Sequence, residues 1–120
     1  MDASELRQYE RQIEEAFPYP PPEYGLWFRH MFGGMVAYVR GRPFSFVTDE
    51  GLSFKMDDYA QEECREEAPE ARTLSWTTKY LIAPPSILDD PARLGDWIQR
   101  SVDYVVTLPP EKKSKGKKRR

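Results

Sequence analysis

Met35-Val36-Ala37-Tyr38-Val39-Arg40-Gly41-Arg42-Pro43-Phe44-Ser45-Phe46-Val47-Thr48-Asp49-Glu50-Gly51-Leu52-Ser53-Phe54-Lys55-Met56 is the stretch that decides the fold. It holds three short runs rich in β-branched and aromatic residues, and turn formers separate them. The runs read as strands over residues 35–39, 44–48 and 52–56. Arg40-Gly41-Arg42 supplies one tight turn. Asp49-Glu50-Gly51 closes the next, with glycine at the left-handed position of a bulged hairpin. In the last run Leu52, Phe54 and Met56 share one face and Ser53 and Lys55 the other. Connections this short imply an antiparallel meander, and residues 26–31 extend it upstream as a first strand.

Helices flank the meander on both sides. Residues 3–17 place Leu6, Tyr9, Ile13, Ala16 and Phe17 on one face, and Asp2 with Glu5 has capping-box spacing. Pro18, Pro20, Pro21 and Pro22 end that helix and predict a stiff, extended connector. Residues 58–67 read as a second helix with Asp58 as N-cap and Gln61 three positions on. Met56, Tyr59, Ala60 and Cys64 would face inward. Residues 73–81 alternate as one strand, with Leu74, Trp76, Thr78 and Tyr80 on one side. Pro84-Pro85 breaks the chain. Asp90-Pro91 then starts a helix whose Leu94, Trp97, Ile98, Ser101, Val102 and Val105 should dock on the sheet. The order α-β-β-β-β-α-β-α predicts an α+β fold. It is a two-layer sandwich, an antiparallel sheet of about five strands with helices on one face and the other partly wet.

The 120 residues make one domain, expected over residues 1–108, followed by a disordered basic tail over 109–120. The net charge of −2 conceals a division. From Glu111 onward there are seven cations and one acid, which leaves 11 basic and 19 acidic residues, about −8, in the body. A body this acidic does not draw nucleic acid by its overall field. The tail residues Lys112, Lys113, Lys115, Lys117, Lys118, Arg119 and Arg120 could bind it without sequence preference, with steep salt dependence. One cysteine, no apolar leader and no apolar run near the roughly 20 residues of a membrane span predict a soluble, cytoplasmic protein without membrane contact.

Few residues suggest chemistry. One His and one Cys cannot build a zinc site, and the acidic pairs lack calcium-loop spacing. His30 reads as a structural or surface residue, because a general base needs a positioned partner. Cys64 falls on an inward helix face as a small hydrophobe. Gly33-Gly34 precedes a strand, so it is not a phosphate loop. It reads as a kink or bulge where side chains do not fit. Among the many aromatics most should be core, while exposed ones could stack bases. Neither enzymatic activity nor a cofactor is expected. An open sheet edge would allow a homodimer.

A resemblance carries the reading further. Arg29-His30-Met31-Phe32-Gly33-Gly34-Met35-Val36-Ala37-Tyr38-Val39 is followed by Gly41, Pro43-Phe44 and Leu52-Ser53-Phe54-Lys55. Further on stand Tyr80, Pro84, Ile87-Leu88-Asp89-Asp90-Pro91, Leu94 and Trp97. In this order, over residues 26–106, they resemble the N-terminal domain of the TfoX (Sxy) competence regulators. The resemblance implies a two-layer helix-and-sheet fold and a non-enzymatic role in transcription regulation through another protein. Full-length members act with the cyclic-AMP receptor protein and carry a second, helical domain. This sequence has no room for that domain and reads as a stand-alone member. Arg29, Met31, Phe32, Gly33, Gly34 and Tyr38 are the signature residues, and with them the expected interaction residues.

Overall fold

Two-residue turns with glycine in second place set the sheet. In the computed structural model, which describes residues 1–18 and 21–110, β1 (Trp27–Met31) turns through Phe32-Gly33 into β2 (Gly34–Val39). That strand turns through Arg40-Gly41 into β3 (Arg42–Thr48). All four turn residues have positive φ, 52° and 75° in the first turn and 51° and 74° in the second. This is what a type I′ hairpin requires. β4 (Gly51–Lys55) follows the two-residue turn Asp49-Glu50; Gly51, expected as the last loop residue of a bulged hairpin, instead opens the strand opposite Thr48, with φ 122°. β5 (Thr73–Leu74) and β6 (Thr77–Ile82) complete a six-stranded, wholly antiparallel sheet in the order β1-β2-β3-β4-β6-β5.

Residues 73–81 are therefore not one strand, and the sheet has six strands rather than five. The run folds back at Ser75-Trp76, so that Leu74 pairs with Thr77. Leu74 and Tyr80 are buried, whereas Trp76 and Thr78 are exposed. A distant side chain fixes the break. The Glu50 carboxylate accepts hydrogen bonds from the Ser75 amide at 3.1 Å and the Ser75 hydroxyl at 2.7 Å.

Helices cover one face. α1 (Ala3–Ala16) begins with the expected capping box, Asp2 accepting from the Glu5 amide at 2.9 Å and Glu5 from the Asp2 amide at 3.0 Å. The proline segment is not extended throughout, since α2 (Pro21–Tyr24) is a single helical turn. Proline's fixed φ suits a first helical turn as well as a break. α3 (Asp58–Glu67) is capped by Asp57, not Asp58, through the Ala60 amide at 2.9 Å. That phase buries Ala60, Gln61 and Cys64 and leaves Tyr59 70% exposed, not inward. Gln61 plays no capping part. Its amide donates to the carbonyls of Met56 at 3.3 Å and Thr78 at 2.9 Å, tying the helix to the sheet. Pro84-Pro85 does not simply break the chain but opens α4 (Pro85–Leu88), which buries Ile87. α5 (Pro91–Val105) has the expected Asp90 cap and the expected buried stripe of Leu94, Trp97, Ile98, Ser101, Val102 and Val105.

One core fills the space between these layers. Leu6 and Ile13 from α1 meet Met35, Phe44, Leu52, Phe54 and Leu81 from the sheet, with Trp97 and Ile98 of α5 in the middle. A β-bulge helps to fill it. Ala37 pairs with Ser45 but Tyr38 pairs with Pro43, so Phe44 is the extra residue. Its ring is fully buried, and its carbonyl accepts the Ser101 hydroxyl at 3.0 Å. Close packing of α1 on α5 needs Gly95, where a Cβ would lie 2.7 Å from the Ala16 carbonyl oxygen.

Candidate interaction surface

Strand alternation that sends Met35, Ala37 and Val39 into the core sends Val36 and Tyr38 to the opposite, outer face. This face is aromatic. The Trp27 ring stacks on its cross-strand partner Tyr38, with centroids 4.4 Å apart and planes 7° from parallel. Phe46 stacks on Tyr80 at 4.4 Å, and Trp76 leans on Phe46 at 5.5 Å. Leu74, Tyr80 and Ile82 form a small second cluster with Phe46, built from strands alone. The open ends of the two stacks are indoles. Trp27 is 45% exposed and Trp76 61%. The interior therefore takes fewer of the large rings than expected, because the outer face keeps its own set.

At one end of this face lies a groove of about 540 Å³. Met31, Phe32, Gly34, Phe46, Asp49 and Trp76 are among the residues that line it. Phe32 is fully exposed at the turn tip with φ 52°. A left-handed backbone costs an L-residue roughly 1–2 kcal/mol, and a fully exposed ring recovers nothing by burial. Phe32 combines a strained backbone with a ring wholly in solvent. Phe32-Gly33 is thus a hairpin turn, not the kink or bulge expected at Gly33-Gly34. Gly33 supplies the positive φ. Gly34 stands in the strand because a Cβ there would run into the Val47 carbonyl oxygen.

The structure gathers Met31, Phe32, Gly33 and Gly34 at the groove. Arg29 stands beside them, exposed, in the row Arg29–Val36–Phe46–Ser53–Ile82. Tyr38 does not reach the groove and is buried beneath Trp27. Phe46, Asp49 and Trp76 went unassigned in the sequence as groove residues. They come from β3, its turn and the β5–β6 turn, which only the folded register brings together. The basic tail from Lys112 to Arg120 lies outside the described residues.

Elsewhere the polar contacts join elements to one another. His30, half-exposed on β1, has Nε2 2.6 Å from a carboxylate oxygen of Glu10 and links the sheet edge to α1. Glu63 bonds Arg100, the Trp97 indole N–H donates to Glu67 at 3.2 Å, and Arg93 lies 3.4 Å from the same carboxylate, so α3 and α5 are joined at three points. Tyr59 is raised by its hydrogen bond to Glu63. Cys64 is buried against the Met56 sulfur at 3.6 Å, and burial pushes its thiol up to about 12. Among the described residues, no group of three or more His, Cys, Asp or Glu is placed to hold a metal ion. None of their helices is long and apolar enough to cross a membrane.

A helical layer on one face of an antiparallel sheet, with an aromatic opposite face, defines a two-layer α+β domain whose most distinctive surface is its uncovered side. The profile of the TfoX N-terminal domain matches residues 25–105, and the chain belongs to that family. No curated protein and no solved structure matches it.

Proposed function

We propose that this domain is a non-enzymatic regulatory adaptor that binds a protein of the transcription machinery through the groove at the Phe32-Gly33 turn. The observation that carries this reading is Phe32 itself, an aromatic held in a left-handed turn and fully exposed beside Trp76. Exposed rings at a groove are the kind of anchor that protein interfaces use. Membership in a family resembling competence regulators supports the transcriptional setting. A photo-crosslinking side chain at Phe32, compared with one at exposed Glu14 on α1, tests the reading in the native cell. The expected result is one protein adduct specific to position 32. Identical patterns from both positions, or none from either, would refute it.

A further inference from the structure

We infer that the outer sheet face binds single-stranded nucleic acid by stacking bases on Trp27, at the end away from the groove, while Arg29 and Lys55 hold the phosphates. This goes beyond the protein-binding reading of the groove and does not depend on it.

The argument begins with charge. The six strands contain Arg29, Arg42, Lys55 and Lys79 and not one carboxylate. All 19 acids ahead of the tail stand on helices, caps or loops. Of the strand cations, Arg29 and Lys55 alternate onto the outer face, where their cross-strand partners are Val36 and Tyr80. The net negative charge of the body thus describes its helical side, and a polyanion approaching the sheet meets cations first. Two loop acids stand at the groove end of this face, and Asp57, two residues beyond Lys55, is held at its own helix as the cap of α3. Asp49 lines the groove, and Glu50 is occupied by Ser75 and by Arg72 at 3.8 Å.

Geometry then favours a ligand with flat faces. Trp27 lies parallel on Tyr38, so one indole face is covered and the other extends the stack outward. A base placed there would continue the same pile of rings, an interaction every base can make. Trp76, backed by Phe46, offers a second indole across the face. Strand spacing puts the two stacks on the order of 10 Å apart, within reach of neighbouring bases on one flexible strand. A duplex hides its base faces, so single strands are the form this surface selects. An acidic peptide would use the cations but not the open indole face.

The test is fluorescence anisotropy of the full chain with a labelled oligodeoxythymidylate of about twelve nucleotides, repeated over a salt series. Trp27→Ala should weaken binding roughly five- to tenfold or more, and Trp27→Phe should restore most of it, since stacking is worth about 1–3 kcal/mol per base. Arg29→Ala should lower the slope of log K against log salt by about 1. Trp76→Ala should weaken binding less than Trp27→Ala, because Asp49 sits at its end. Thermal unfolding confirms that each variant is folded. Oligonucleotide binding that is indifferent to Trp27 and Arg29 overturns the inference, leaving the tail as the source of affinity. So does competition by polyglutamate as strong as by unlabelled oligonucleotide, or an absence of binding at low salt.

Discussion

The two faces of one sheet differ in what their aromatic residues do. On the covered face Phe44 and Phe54 are fully buried in one core with Trp97 of α5. On the open face Trp27 and Trp76 lie over Tyr38 and Phe46 with much of each ring in water. Rings of the same type thus supply stability on one side and an unsatisfied surface on the other. The difference arises because the helices carry their apolar stripes to one face only. A change on the covered side should therefore register mainly as lost stability, and a change on the open side mainly as lost binding.

The largest effect tests the covered side. Trp97→Ala removes the central side chain of α5 and its bond to Glu67. It should cost about 3–5 kcal/mol, the usual range for a large buried aromatic, read as a fall in the urea midpoint. A loss below about 1 kcal/mol would show that the helical layer is not the main source of stability.

Trp97 also marks how much was legible. Its helix announced itself by Asp90-Pro91 and a stripe of apolar residues at helical spacing, all of it local information. Capping of α1 was local too. The failures have non-local causes. Strict alternation over residues 73–81 continues straight through the Ser75-Trp76 turn, since a period of two does not reveal a reversal. Glu50, some 25 residues away, fixes that turn. At α3 the sequence is ambiguous locally: Asp57 and Asp58 are both capping residues, and polar Gln61, not apolar Tyr59, shares the buried face with Ala60 and Cys64 because its amide bonds the sheet. The site was half readable. Met31, Phe32, Gly33 and Gly34 form one continuous segment, whereas Phe46, Asp49 and Trp76 join it only through strand register. In β2, all six residues are buried, so hydropathy could not tell the covered face from the open one.

Cys64 gives the next effect, expressed through pH. Burial raises its thiol from 9.0 to about 12. The folded state therefore keeps its proton at a pH where the unfolded chain has lost it. The sign follows from linkage. The stabilisation is complete below about pH 9 and disappears as pH climbs towards 12, a loss of up to about 4 kcal/mol. Urea midpoints of the native chain and Cys64→Ala at pH 7, 9 and 10.5 isolate this from the titration of Lys and Tyr. The gap between the two proteins should narrow above pH 9. Parallel curves would mean that the thiol is not buried.

Gly34→Ala probes the seam between the faces. An added methyl meets the Val47 carbonyl oxygen, a backbone atom that cannot turn aside. The cost should be about 2–3 kcal/mol, in the range of overpacking. Gly33→Ala, with open space around it but φ 75°, should cost only about 1–2 kcal/mol. Equal losses would mean that φ alone explains both glycines and that the close approach of β2 to β3 contributes little.

Phe32→Asn carries the smallest change in stability and the sharpest contrast with Trp97→Ala. Asparagine tolerates the left-handed conformation better than phenylalanine. The lost ring buried no area, since it is fully exposed. The variant should therefore be as stable as the native chain or more stable by about 0.5–1 kcal/mol, while losing partner capture at the groove. A ring held wholly in solvent on a left-handed backbone is the geometry on which the proposed docking site rests. If Phe32→Asn instead lowers the melting temperature, the ring packs on its own surface in solution, and the strain argument for a docking site at this turn fails.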